Sequence, residues 1–119
     1  MKDGLVIQTV ADGGQARGIY NEQDGITTIG NKASINVTGL AGSGYGMDVS
    51  GGKVKMGDNA TIQVKGTSGY GISIGQETGS STVEMGKNAS ITVESDDMSV
   101  GVLNDGGTMT AAENFSSQV

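Results

Sequence analysis

Short stretches of alternating apolar and polar residues recur along the chain. Val54 and Met56 point one way with Lys55 between them, and Ile62 and Val64 point one way with Gln63 and Lys65 opposed. Ile72 and Ile74 flank Ser73 in the same manner. A period of two with β-branched residues, broken by Gly, Asn, Asp and Ser, predicts strands rather than helices. Each stretch also has a counterpart. Val54-Lys-Met-Gly-Asp-Asn-Ala-Thr-Ile-Gln-Val64 returns as Val83-Glu-Met-Gly-Lys-Asn-Ala-Ser-Ile-Thr-Val93, with a weaker copy at 27–37 and a decayed one at 109–119.

A second motif follows the first: Arg17-Gly18-Ile19-Tyr20-Asn21, Tyr45-Gly46-Met47-Asp48-Val49, Tyr70-Gly71-Ile72-Ser73-Ile74 and Val100-Gly101-Val102-Leu103-Asn104. Its glycines are spaced 28, 25 and 30 residues apart. Turns that absorb insertions while strands stay fixed tolerate such variation, and self-similarity at this period signals a stacked array. Each unit is expected to hold three short strands, which in the fourth are 82–85, 89–94 and 99–103. The units run approximately 1–25, 26–52, 53–81 and 82–107, with a partial one at 108–119. Together they predict an all-β chain, a single right-handed parallel β-helix of about four coils, the hand following the rule for parallel crossovers.

Stacking makes a further demand: equivalent residues must tolerate one another about 4.8 Å apart. The inward columns comply. Ile29, Met56, Met85 and Ala111 form one, Ala33, Ala60, Ala89 and Phe115 a second, and Ile35, Ile62, Ile91 and Ser117 a third. Outside, three aligned positions reverse charge between the two best-preserved units: Lys55 with Glu84, Asp58 with Lys87, and Lys65 with Glu94. These are expected as inter-coil charge pairs worth roughly 0.2–1 kcal/mol each, less where exposed. Phe115 and Ser117 depart from their columns, as a capping coil or a divergent one would.

Composition narrows the function classes. A net charge of −6 without a Lys/Arg cluster argues against nucleic acid as a partner. There is no Cys, so neither disulfides nor thiolate metal sites are available. No apolar run reaches membrane-spanning length, so membrane insertion of this segment is not expected. Met1-Lys2-Asp3-Gly4 lacks the apolar core of a signal peptide, and the chain is expected to be an excised part of a longer protein.

Met56-Gly-Asp-Asn-Ala-Thr-Ile62, Met85-Gly-Lys-Asn-Ala-Ser-Ile91 and Gly69-Tyr-Gly-Ile72 together resemble the repeats of bacterial autotransporter (type V secreted) passenger domains, over roughly 5–119. The resemblance implies a right-handed parallel β-helix displayed outside the outer membrane, commonly as an adhesin. The family's signal peptide and C-terminal membrane barrel have no counterpart in these residues.

Candidate chemistry is sparse. A glycosidase needs two carboxyls about 5–10 Å apart, but Asp48 stands in a column of Tyr20, Ser73 and Leu103. His, the commonest general base, is absent. Asp96-Asp97 reads as a solvated turn; with Asp105 it could supply oxygen ligands to a weak calcium site. Gly42-Ser-Gly-Tyr-Gly46 looks like a dinucleotide loop fragment, but no helix follows, and its return as Ser68-Gly-Tyr-Gly71 marks a turn. Sequons stand at Asn36, Asn59, Asn88 and Asn114. Asn59, Asn88 and Asn114 share one repeat position and are expected as a hydrogen-bonded ladder, with glycosylation the alternative. Tyr45 and Tyr70 occupy equivalent places as a candidate glycan contact or a stacked pair filling a corner; Tyr20 lies elsewhere in its unit.

The sequence therefore points to a structural or adhesive, extracellular segment of a bacterial cell-surface passenger. It is expected to need no cofactor or metal, to perform no catalysis, and to bind a host or neighbouring-cell surface protein or glycan. The alternative is a self-assembling extracellular fibre subunit, stacking end to end through its exposed coil ends.

Overall fold

A computed structural model describes residues 3–75 and 81–119. The junction of units 53–81 and 82–107 falls partly on 76–80 and, like Met1 and Lys2, lies outside the described residues. The strands are β1 (Val6–Ala11), β2 (Gly14–Asn21), β3 (Ile26–Ile29), β4 (Ser34–Val49), β5 (Gly52–Met56), β6 (Thr61–Ile74), β7 (Ser81–Met85), β8 (Ser90–Asn104), β9 (Thr108–Ala111) and β10 (Ser116–Gln118). Every pairing is parallel. One sheet runs β1-β4-β6-β8-β10 with β2 also on β4, and the other runs β3-β5-β7-β9. The chain is an all-β solenoid of about four coils.

The expected columns follow the register. Ile7, Ile35, Ile62, Ile91 and Ser117 are successive partners, as are Thr9, Val37, Val64 and Val93. From Ile35 to Ile91 and from Val37 to Val93 these side chains are buried, together with Met56, Met85, Ala33, Ala60 and Ala89. Phe115 packs half-buried against this core at the last coil, while Ser117 is exposed.

The structure corrects the strand count. Each full coil has two hydrogen-bonded strands, not three, because the second and third expected strands are continuous in β4, β6 and β8. At about 3.3 Å per residue the 16 residues of β4 would reach roughly 50 Å if straight, whereas the molecule's longest extent is 31 Å. The long strands must therefore bend. They do so where the register slips, between Gly39 and Ser43 against β6 and between Gly66 and Ser68 against β8. The offset between partners falls from 27 residues (Ser34 to Thr61) to 25 (Ser43 to Ser68) across the first slip. A bulge of this kind turns a strand without ending its ladder. Asp96 and Asp97 accordingly lie inside β8 at its corner rather than in a turn.

Between the short and long strands a tight turn repeats, and one position always takes the left-handed conformation: Gly4 (φ 77°), Lys32 (61°), Asn59 (61°), Asn88 (58°) and Asn114 (61°). Asn suits this region because its short polar side chain bonds locally. Here it also bonds between coils: Asn88 Nδ2 donates to Asn59 Oδ1 (3.2 Å) and Asn114 Nδ2 to Asn88 Oδ1 (3.0 Å). Lys32 interrupts the column, with a side chain that can neither accept nor relieve the left-handed backbone. Lys32→Asn is expected to raise stability by about 1 kcal/mol, from lower strain and one added hydrogen bond. The check is a higher urea midpoint at unchanged slope; a lower midpoint would contradict this account of the turn.

Candidate functional site

The charged positions occupy neighbouring coils as the repeat demands: Lys55 is the partner of Glu84, and Lys65 of Glu94. The expected ion pairs, however, do not form. Glu84 Oε2 pairs diagonally with Lys53 Nζ at 3.4 Å. Among the described residues no ion pair joins Lys65 to Glu94 or Lys55 to Glu84. Exposed ammonium groups on flexible stems gain little by giving up water for one fixed geometry. Asp58 and Lys87 meet differently again, since the Lys87 backbone N–H donates to Asp58 Oδ1 at 2.8 Å. Asp58 N–H donates in turn to Asn31 Oδ1, and Asn31 N–H to Asp3 Oδ1, both at 2.8 Å. What looked like a charge reversal is the top of a side-chain-to-backbone ladder, ended by Lys87 because lysine offers no acceptor.

The acids named for calcium do not converge, because Asp96 and Asp97 precede the second half of β8 and Asp105 follows it. Asn36 is half-buried on β4, its Nδ2 3.4 Å from Ser34 Oγ. Asn59, Asn88 and Asn114 are exposed at the turn column.

Chemistry-bearing side chains gather instead on the outer face of the second half of the long strands. Tyr45 and Tyr70 stack with ring centroids 4.8 Å apart and planes 8° from parallel. Arg17, the register partner of Tyr45 on the coil below, places its guanidinium carbon 5.9 Å from the Tyr45 centroid. Tyr45 is thus enclosed on both faces. Burial, then the neighbouring Tyr70 and Asp48, raise its pKa against the opposing pull of Arg17. Stacking and Arg17 leave Tyr45 its rim and hydroxyl, while Tyr70 is stacked on one face and has Val100 as its register partner on the next coil.

Arg17 also lies over Tyr20, 4.6 Å from its centroid, and its Nε donates to Asp48 Oδ2 at 2.8 Å. Tyr20 Oη donates to Glu22 Oε2 at 2.9 Å. Arg17 and Tyr20 are three residues apart on one strand yet face the same way. The reason is the glycine column: Gly46 and Met47, like Gly71 and Ile72, are both buried, so alternation skips a step there.

Above Tyr20 the register stacks Asp48, Ser73 and Leu103. With Ser50, Ile74, Gly75 and Asp105 they border a groove of about 290 Å³ along the coil axis. A second cleft of about 360 Å³ lies at the corner around Leu40, Lys65, Glu94 and Asp96. Sequence reasoning missed Arg17 as the hub of this face, although Arg17 already stood in the Tyr45 and Tyr70 column. No known protein family, curated protein or solved structure matches the chain.

Proposed function

We propose that the chain is a structural and adhesive segment of a secreted, surface-displayed autotransporter-like bacterial passenger. It holds a host or neighbouring-cell surface protein or glycan through its lateral faces and performs no catalysis. The observation that carries this reading is the parallel stacking of equivalent strands, coil on coil, in both sheets. The interior columns fill themselves with Ile, Val, Met and Ala. Side chains outside are left in rows about 4.8 Å apart, a long regular wall suited to contact with another surface. Support also comes from Met56-Gly57-Asp58-Asn59 and Met85-Gly86-Lys87-Asn88, which carry the resemblance and form the turn ladders.

The test has two arms. The reading frame containing this segment is expected to continue into a membrane-barrel domain; a complete frame without one would end the passenger reading. Beads coated with the folded chain are expected to bind cell surfaces saturably, and beads coated with heat-unfolded chain are not. Equal binding by both would end the adhesive reading, and filaments under electron microscopy would replace it with end-to-end assembly.

A further inference from the structure

We propose that the groove between Tyr20 and Leu103 is a subsite for a short neutral oligosaccharide lying along the coil axis, an assignment whose biological use rests on the adhesive reading above. The groove exists because its floor residues are small. Ser50 and Gly75 stand beside Ser73, while Tyr20 and Leu103 close the two ends. Tyr20 and Leu103 are three register steps apart in one column, about 14 Å at the usual strand spacing. That length and the volume of about 290 Å³ suit two or three linked sugar rings, at the small end of the usual range for ligand pockets.

The chemistry of the walls selects the class. Tyr20 is 48% exposed and Leu103 44%. They supply apolar patches at either end for the C–H faces of sugar rings. Between them Asp48, Ser73 and Asp105 present oxygen acceptors for hydroxyl groups. Asp48 Oδ2 is held by Arg17, which orients the carboxylate and leaves Oδ1 to accept from a ligand. Charge argues against acidic ligands: among the described residues Arg17 is the one cation lining the groove and is already paired, Asp48 and Asp105 are anionic, and the chain carries −6. Between its ends the floor is formed by β4 and β6, which are paired on both sides, so a peptide adding as a strand would have to use the open edges of β2 or of the second half of β8 at the ends of the groove.

The experiment is an amide-resolved NMR titration of the full chain with the neutral sugars cellotetraose and tetra-N-acetylchitotetraose, up to about 10 mM sugar. Saturable shifts are expected at Tyr20, Asp48, Ser73, Leu103 and Asp105. Binding should weaken at least about tenfold in Tyr20→Ala and in Ser73→Phe, which fills the floor from an outward strand position that tolerates aromatics. Leu103→Ala supplies the same test should Ser73→Phe fold poorly, and Lys55→Ala on the other sheet should bind as the parent does. Shifts confined to the rims of Tyr45 and Tyr70, binding only of uronic or sialic sugars, or no localised shift would each overturn the assignment. A null titration leaves the passenger reading standing, since the gene frame decides that. A frame without a barrel, alongside localised shifts, removes the passenger reading and keeps the groove.

Discussion

Gly71→Ala is expected to destabilise the chain by at least about 3 kcal/mol, a large part of the roughly 5–15 kcal/mol available to a domain of ordinary stability. A Cβ at Gly71 would stand 2.3 Å from Ile91 Cγ2 and 2.5 Å from the Gly101 carbonyl oxygen. Gly46 faces the same pair of obstacles one coil below, Ile62 Cγ2 at 2.3 Å and the Gly71 carbonyl oxygen at 2.5 Å. Each glycine therefore lets the long strand pass close to an isoleucine across the core and to the backbone of the next coil. The isoleucine can rotate away at some cost; the carbonyl is fixed by the ladder. Gly71→Ala combined with Ile91→Ala should thus be less stable than Ile91→Ala alone, because the new methyl cannot simply occupy the vacated space. Gly75→Ala is the control, with nothing among the described residues within 4 Å of its Cβ, and should change stability by no more than about 0.5 kcal/mol. Urea unfolding followed by circular dichroism measures all four. Near-parental stability in Gly71→Ala would mean that the coils are not packed at this spacing.

The interior was legible because two constraints coincide in the sequence. The two-residue pleat sorts Ile62 and Val64 inward, and the repeat places Ile91 and Val93 over them, so the columns could be written down before any coordinates. The bends were not legible. Whether Gly66 to Ser68 ends a strand or turns one depends on the backbone of the adjoining coils, whose ladder continues through the corner. Side-chain pairing was illegible for a different reason. Register fixes where Lys55 and Glu84 attach, but a long solvated stem decides where its charge rests, and Lys53 takes that partner. Asp58 opposite Lys87 read as electrostatics, whereas the carboxylate serves a backbone amide. Similarly, Tyr45 and Tyr70 were visible as equivalents, but not that each covers one face of the other and that Arg17 covers the second face of Tyr45. Arg17 gathers Tyr20, Tyr45 and Asp48 only because the glycine column shifts the alternation, which a strict period of two does not foresee.

Ile62→Ala is expected to cost about 3–4 kcal/mol, within the range for a buried large-to-small change. Ile62 is fully buried at the centre of the isoleucine column, with Ile35 and Ile91 as its partners on either side. Removing it leaves a cavity that its neighbours cannot close, since each is held in place by its own sheet ladder. Ile7→Ala, at the start of the same column, should cost only about 1 kcal/mol, because Ile7 is half-exposed and among the described residues has a coil stacked on one side only. The comparison separates two kinds of molecule. In a solenoid each coil is stabilised chiefly by the two it touches, so sensitivity should fall from the middle coils toward the first and last. In a domain with one central core, burial depth rather than position along the axis would set the loss. Amide hydrogen exchange gives the matching readout without mutation: protection should peak in β4, β6 and β8 and decline through β1 and β10. Equal losses from Ile62→Ala and Ile7→Ala, with uniform protection across the strands, would contradict a stack of coils held together by nearest-neighbour contacts.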